Sequence, residues 1–176
     1  SRGRRKHLDS GDMVAFPIPA ALQSVADRQW LYGKSIVRKL ALVPNPISST
    51  CRFAGEKRNI ILAVGRWDDL LYKRPYLLMA TLQQALPHAP QWEAEIYGNI
   101  PAFLREWHGN LPEDLRNRIH LAGYIPNIEL QKKQSLARIS LCTSLSEGTH
   151  LASAEALCAG ASVVGPRLTP QLNCLQ

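Results

Sequence analysis

Residues 146–165 have the sequence SEGTHLASAEALCAGASVVG, a pattern typical of a loop, a helix, a tight turn and a strand in that order. Residues 151–159 contain few helix breakers and predict the helix. Gly160 tolerates a positive φ and is expected to end it, and Val163 with Val164 predicts a buried strand. The helix face that the spacing groups together carries Leu151, Ala154 and Cys158.

Two acidic residues lie on either side of the predicted helix start. Glu147 falls in the loop before the helix and Glu155 in its first turns, and Gly148 or Thr149 is expected to cap the helix. A helix N-terminus suits phosphate, and carboxylates accept hydrogen bonds from hydroxyl groups, so the pair is compatible with a nucleotide-sugar. An ordinary βαβ crossover with two solvated acids has the same spacing, and the spacing alone favours that interpretation.

The residues before this stretch alternate between short apolar runs and helical patterns. Such alternation predicts an α/β fold, with a Rossmann-like parallel sheet and helices on both faces. Ligands bind such sheets at the carboxyl ends of the strands. The predicted strands are 59–64, 93–97, 118–122 and 139–142, and the predicted helices are 75–86, 101–107, 112–117 and 127–137.

The N-terminal part carries a weaker version of the same pattern. Residues 13–16 and 40–43 predict two short strands, and residues 20–32 predict a helix between them. Residues 47–58 are polar and contain a glycine and several charges, which indicates a linker. We therefore expect a domain boundary there, with 1–49 and 50–176 on its two sides.

Two loops at predicted strand ends carry candidate ligands for an anion. The loop after residue 65 offers Arg66 and Lys73, which suit phosphate oxygens, although Asp68 and Asp69 are equally placed to pair with them in a solvated loop. The loop after residue 122 offers Tyr124 and Ile125 as surfaces for a base, while Asn127 is expected to be an N-cap. We expect these loops to lie at one edge of the sheet.

Composition narrows the class of partner. The net charge of +7 favours an anionic partner, such as nucleic acid, an anionic membrane face or a phosphorylated substrate. Scattered tryptophans argue against RNA binding, which uses aromatic platforms among basic residues. The four cysteines show no zinc spacing, and Cys142 and Cys158 are expected in the core of a cytosolic protein. No apolar run has the ~18–20 residues that span a bilayer.

Five segments, in order, resemble the C-terminal, donor-binding half of retaining glycosyltransferases with the GT-B fold. This large family, glycosyl transferases group 1, is marked by a Glu-x7-Glu motif. The resemblance covers roughly residues 35–166, and its last segment is the most specific. The segments are VPNP at 43–46, AVGR at 63–66 with Lys73, IYG at 96–98, IHLAGYIP at 119–126, and EG with EALCAGASVV between 147 and 164.

The resemblance implies a role for each candidate residue. Arg66 and Lys73 would hold the donor diphosphate and stabilise the leaving group, and Glu147 would contact the donor sugar, so these three form the expected catalytic set. Glu155 would bind the ribose hydroxyls. The base would lie between Tyr124 and Ile125, and backbone groups of the helix start would face the diphosphate and the sugar, at Gly148, Thr149, His150 and Leu151.

The implied reaction is transfer of a hexosyl group to a glycan or lipid-linked acceptor with retention of configuration, as in polysaccharide biosynthesis. The donor would be a UDP-, GDP- or ADP-sugar. A diphosphate held by cations needs no metal, so we expect neither a metal nor another cofactor, and no nucleic acid partner. The implied location is cytoplasmic, with the inner, anionic membrane face as an alternative position.

The resemblance also marks departures and gaps. His150 and Arg74 occupy positions where the family usually has glycine, and a side chain at the first of these would narrow the pocket or change the sugar. A lone loop histidine is more often a neutral contact than an acid or base. Residues 1–49 resemble only the tail of the acceptor domain. We therefore expect a truncated donor domain at 50–176 that is inactive in isolation.

Two alternatives remain open from the sequence. A sugar-nucleotide epimerase or phosphorylase relative has the same fold, and fold alone does not settle function. An epimerase would need an acid and a base around the sugar, for which Glu147 and His150 are the available candidates. The second alternative is a non-catalytic nucleotide-binding module, which would account for the same residues and for the positive charge.

Overall fold

The computed structural model describes residues 10–17, 19–48, 50–53, 55–147 and 150–166. Within it the chain divides into two compact units, Ser1–Pro46 and Ile47–Gln176. Among the described residues, no helix is long and apolar enough to cross a membrane.

The first unit is a small parallel pair of strands joined by helices. Strand β1 (Val14–Phe16) pairs in parallel with β2 (Leu40–Leu42), with Val14 opposite Leu40. Three short helices lie between them in the described part of the connection: α1 (Pro19–Ala26), α2 (Gln29–Tyr32) and α3 (Lys34–Val37).

The prediction of one continuous helix over residues 20–32 is wrong. The chain turns at Asp27 and Arg28, because the Asp27 N–H closes the first helix on the Gln23 carbonyl and the Arg28 carbonyl begins a new turn. The side chain of Gln23 also donates to Asp27 at 2.7 Å, which holds the acidic residue at the end of α1.

The second unit contains a five-stranded, all-parallel sheet in the order β5-β4-β3-β6-β7. Helices connect successive strands, as the parallel arrangement requires. The elements are β3 (Arg58–Arg66), α4 (Pro75–Ala85), a 3-10 turn (Leu86–His88), β4 (Glu93–Asn99), α5 (Ala102–Gly109), α6 (Glu113–Arg118), β5 (Ile119–Gly123), α7 (Asn127–Leu136), β6 (Ala137–Leu141), α8 (Leu151–Cys158) and β7 (Ser162–Val164).

Apolar side chains cover both faces of this sheet. Alternate residues of β3 point to opposite faces, so Ala63 packs with Leu78 and Leu82 of α4, whereas Leu62 packs in a cluster with Leu130 of α7. A strand that is buried on both faces is apolar at nearly every position, which explains the continuous apolar run of β3. The α/β fold with a Rossmann-like parallel sheet and helices on both faces is therefore confirmed.

The strand order places the site. The chain runs outward from β3 to β5 and then returns to β6 on the other side of β3, so the order reverses beside β3. Ligands bind α/β sheets at such a reversal, outside the carboxyl ends of the strands. The loops that follow β3 and β6 are neighbours at this point, although about 80 residues lie between Arg66 and Ser146 in the sequence.

Two local predictions in this unit are wrong. Helix α7 has Pro126 rather than Asn127 as its N-cap, because the Pro126 carbonyl accepts the first helical N–H groups from Glu129 and Leu130. Cys158 is exposed, whereas Cys142 is buried as predicted. Helix α8 instead buries Ser153, Ala154 and Ala156, so its inner face is made of small residues that allow close packing.

Candidate functional site

A cavity of about 410 Å³ opens at the carboxyl edge of the sheet, beside the strand-order reversal. It lies between the ends of β3 and β4, the loop after β5 and the start of α8. Seven predicted site residues line it: Arg66, Lys73, Tyr124, Ile125, Glu147, His150 and Leu151. Val64, Gly65, Tyr97, Gly98, Asn99, Leu130 and Ala152 complete the described lining.

Two glycines form the floor of the cavity. Gly98 has φ +108°, and a Cβ at this position would lie 1.9 Å from the carbonyl oxygen of Gly65 on the neighbouring strand. Only glycine fits such a close approach at positive φ. The two strand ends therefore meet without side chains and leave room above them for a ligand.

The loop after β3 is fixed to β4 through Trp67. The backbone N–H of Trp67 donates to Asn99 Oδ1 at 2.7 Å, and its indole Nε1 donates to the Tyr97 carbonyl at 2.9 Å. The Trp67 ring is almost completely buried, so the loop that carries Arg66 and Lys73 begins from a rigid point.

The far end of the same loop is bonded to the loop after β6. The Leu145 N–H donates to the Tyr72 carbonyl at 2.7 Å, and the Thr143 hydroxyl donates to the Lys73 carbonyl at 2.7 Å. These two bonds hold Lys73 beside Glu147. They connect residues about 70 positions apart, which is why the spacing in the sequence did not reveal the pair.

Lys73 and Glu147 form a tight ion pair at the cavity wall. Their Nζ and Oε1 atoms are 2.5 Å apart, and each side chain is 16% exposed. Burial acts to raise the pKa of Glu147, but hydrogen bonds from Lys73 and Ser144 outweigh it and bring the pKa below its ordinary value. Glu147 is therefore a carboxylate near neutral pH, able to accept but not to donate hydrogen bonds.

His150 caps α8, a role that we predicted for Gly148 or Thr149. Its Nδ1 accepts the Ser153 N–H at 3.2 Å and lies 2.5 Å from the Ser153 hydroxyl. Gly148 and Thr149 themselves lie outside the described residues. Burial is the main cause that lowers the pKa of His150 to about 4, so the imidazole is neutral at pH 7.

Arg66 is placed at the open rim. Its side chain is 79% exposed, and its only described ion pair is a 3.7 Å contact with Asp69. That contact agrees with the prediction that the loop acids could pair with its cations, but it is too long and exposed to hold the side chain firmly. A second, smaller pocket of about 320 Å³ lies on this side, lined by Arg66, Asp69, Tyr72, Lys73, Ser146 and Glu147.

The opposite end of the cavity is apolar. Ile125 and Leu130 belong to the cluster on this face of the sheet, and Tyr124 extends outward with 86% of its surface exposed. This end offers flat and aliphatic surfaces but few charges, which suits an aromatic ring system better than a phosphate.

Glu155 does not line the cavity in the described structure, in contrast to the other acidic residue of the motif. It is half-buried in the second turn of α8. Its charge acts on Cys51, whose pKa is raised by burial and, to a smaller extent, by Glu155. The predicted contact of Glu155 with ribose hydroxyls therefore stays a prediction.

Several residues of the site were missed from the sequence. Asn99 holds Trp67 and also lines the cavity, and Thr143 and Leu145 fix the ion pair. A polar residue directly after Gly98 at a strand end was a usable signal for the first of these. No group of three His, Cys, Asp or Glu side chains suited to a metal occurs among the described residues.

Comparison with known structures shows the same fold. The pneumococcal O-GlcNAc transferase GtfA, in complex with UDP and GlcNAc, superposes with a TM-score of 0.73 at 19% identity, over 94% of this chain and 32% of that one. Anabaena HepE, in complex with UDP and glucose, gives 0.70 at 14% identity, over 100% and 51%. Sucrose-phosphate synthase from Thermosynechococcus elongatus gives 0.69 at 23% identity, over 94% and 43%.

This chain thus spans between a third and a half of the length of those proteins. No curated protein sequence matches it significantly. The family model of glycosyl transferases group 1 matches residues 58–173, which include the whole five-stranded sheet and the cavity. The chain belongs to the glycosyl transferases group 1 family.

Proposed function

We propose that the cavity binds a nucleotide-sugar and that the protein is a glycosyltransferase that transfers the hexosyl group to a glycan or lipid-linked acceptor. One observation carries the proposal: a single cavity at the strand-order reversal combines two cations, a carboxylate and an apolar end. Its volume of about 410 Å³ lies in the range of ~300–1,000 Å³ typical of ligand pockets.

The donor would lie along the cavity with its parts matched to the chemistry of the walls. The base would pack against Tyr124 and Ile125 at the apolar end. The diphosphate would bind Lys73 and the exposed Arg66 side chain, since guanidinium and ammonium groups both bind phosphate oxygens. The sugar would then face Glu147, whose carboxylate accepts hydrogen bonds from hydroxyl groups.

The protonation states support group transfer. In transfer, the leaving nucleoside diphosphate develops negative charge, which Arg66 and Lys73 would stabilise without a proton donor. Glu147 is ionised and His150 is neutral near pH 7, so this pair lacks the acid that an epimerase would need. We propose retention of configuration, with no metal and no other cofactor.

Two of the structural neighbours guide the choice of donor. GtfA and HepE were both solved with UDP, together with GlcNAc in one and glucose in the other. UDP-sugars are therefore the first donors to test, with GDP- and ADP-sugars as the alternatives.

The organisation of the protein is part of the proposal. Residues 50–176 would form the donor domain and residues 1–49 the tail of an acceptor domain, so these residues would bind the donor without transferring its sugar. We also propose a cytoplasmic position at the anionic inner face of the membrane, supported by the net charge of +7. Sedimentation with anionic and with neutral vesicles would test it, and equal binding to both would contradict it.

Titration calorimetry with UDP, GDP, ADP and their glucose conjugates tests the function. One nucleoside diphosphate should bind clearly tighter than the other two. Lys73→Ala should weaken it by about 10- to 100-fold, as expected for a lost charged hydrogen bond. Lys132→Ala, on the exposed side of α7, is the matched control and should change nothing. If no nucleoside diphosphate binds, the proposal is wrong.

Glu155→Ala forms a separate arm of that experiment. If the ribose contact exists in the complex, this change should weaken binding of the nucleoside diphosphate but not of inorganic pyrophosphate, which lacks ribose. Glu106→Ala, an exposed carboxylate on α5, is the control. If the Glu155 variant and the wild type bind the nucleoside diphosphate with equal affinity, Glu155 does not contact the ribose, and the rest of the proposal is unaffected.

A further inference from the structure

His150 lines the cavity at a position where the family pattern usually has glycine. The imidazole is 7% exposed, yet it lines the cavity between Glu147 and Leu151. The hydrogen-bonding groups of a polar ring buried to this extent find partners in the protein, in water or in a ligand.

The protein satisfies only one of the two ring nitrogens in the described structure. Nδ1 faces Ser153 and accepts the backbone N–H that begins α8. A nitrogen that accepts a backbone N–H carries no proton, so the proton of the neutral ring belongs on Nε2. The hydrogen-bond pattern thus assigns the tautomer with an Nε2–H donor.

The surroundings of Nε2 leave this donor available. Glu147 Oε1 lies 3.9 Å from Nε2, which is too long for a hydrogen bond. That carboxylate oxygen is already bonded to Lys73 at 2.5 Å. Two charged groups therefore face His150. Glu147 is already hydrogen-bonded to Lys73, and the charge of Lys73 disfavours a second proton on the imidazole ring.

We propose that the His150 Nε2–H donates a hydrogen bond to a phosphate oxygen of the bound nucleoside diphosphate, in addition to the backbone N–H groups expected to face it at the start of α8. The inference rests on the proposed function. Two features of the structure favour phosphate over sugar as the acceptor: the donor lies at the start of α8 and beside Lys73. Both favour negative charge.

Two substitutions separate the capping role of His150 from the binding role. In His150→Asn the side-chain oxygen replaces Nδ1 as the cap, and asparagine is among the best N-caps, but nothing replaces Nε2. In His150→Gln the amide nitrogen extends to the place of Nε2, while the longer chain no longer suits the cap. His150→Asn therefore loses only the Nε2 donor, and His150→Gln loses only the Nδ1 cap.

Calorimetry with UDP, GDP and ADP, and thermal unfolding, should show opposite losses. His150→Asn should keep its Tm within about 2 °C and weaken the tightest-binding nucleoside diphosphate about tenfold or more. His150→Gln should keep most of the affinity and lower Tm by about 2–4 °C. Affinity for the free nucleoside should be unchanged in both variants, because it carries no phosphate.

The failures are distinguishable. If the wild-type chain binds a nucleoside diphosphate and His150→Asn binds it equally well, the histidine proposal is wrong and the function stands. If no nucleoside diphosphate binds the wild type, both are wrong. Nitrogen NMR shifts of the His150 ring give an independent check: a proton on Nδ1 rather than Nε2 would overturn the proposal whatever the affinities.

Discussion

Glu147→Gln should strengthen the binding of a bare nucleoside diphosphate. In the structure the Glu147 carboxylate holds Lys73 at 2.5 Å, inside a wall where both side chains are 16% exposed. A bound diphosphate must compete with the Glu147 carboxylate for Lys73. The negative charge of the diphosphate is also repelled by that carboxylate. Glutamine has nearly the same shape but no charge, so it removes both obstacles.

The size of the gain follows from the charge separation. For a phosphate charge about 6 Å from the carboxylate, Coulomb's law gives about 3 kcal/mol at an effective dielectric constant of about 20. Counterions and the open side of the cavity reduce this repulsion, and we expect about 1 kcal/mol, or roughly fivefold tighter binding. A donor that carries its sugar should respond in the opposite direction, because a hydrogen bond from a sugar hydroxyl to a charged group contributes about 1.5–3 kcal/mol.

Titration calorimetry of the wild type and of Glu147→Gln with UDP and with UDP-glucose measures both changes in affinity. If GDP or ADP binds tighter than UDP, that nucleotide and its glucose conjugate replace the uridine ligands. Glu106→Gln, an exposed carboxylate on α5, is the charge-matched control and should leave both affinities unchanged. UDP binding to the Glu147 variant no tighter than to the wild type, or a change of both affinities in the same direction, would contradict this prediction.

Three further predictions concern stability, measured by urea unfolding. Lys73→Met should lower the free energy of unfolding by about 1–2 kcal/mol at pH 7, because it leaves the Glu147 carboxylate half-buried without its cation. The lowered pKa of Glu147 means that this stabilisation exists above the ordinary value of 4.5 and disappears as the pH falls below it, so the two proteins should converge in acid. Gly98→Ala should cost about 2–5 kcal/mol, from positive φ and the clash with the neighbouring strand, whereas Gly109→Ala, with open space around it, should be neutral or stabilising. Arg74→Asn should raise the free energy of unfolding by about 0.5 kcal/mol, because asparagine tolerates the left-handed conformation at φ 51° better than arginine. A free energy of unfolding equal to or below that of the wild type would contradict the idea that Arg74 is strained.

The fold was predictable because local patterns decide it. The apolar runs ending in Gly65 and Gly98 and the helical pattern between them define parallel strands, and the loops after such strands must meet at one edge. This is why Arg66 and Lys73 could be singled out from the sequence. The cavity that they line lies at the carboxyl ends of neighbouring strands, although the loop after β5 and the start of α8 also contribute to its walls.

The pairing inside the site was not predictable, because it depends on contacts across the sheet. The bonds from Thr143 and Leu145 place Lys73 beside Glu147, and no local pattern reports them. The capping of α8 by His150 was missed for another reason. Serine, threonine, asparagine, aspartate and glycine dominate N-cap statistics, so the sequence pointed to Gly148 or Thr149, although an imidazole nitrogen can accept the same N–H.

The two positions that depart from the family's glycines carry different consequences. At Arg74 the backbone is in the left-handed region, with φ 51°, which explains glycine in the family by backbone conformation alone; arginine adopts the same shape at some cost in strain. At His150 the φ of −81° suits any residue, so backbone strain gives no reason for glycine there. The reason must lie in the space above the backbone, which is the cavity itself. A substitution at Arg74 should therefore change Tm without changing ligand affinity. At His150 the outcome depends on which ring nitrogen is lost: loss of Nε2 should lower the affinity, and loss of Nδ1, which caps α8, should lower Tm.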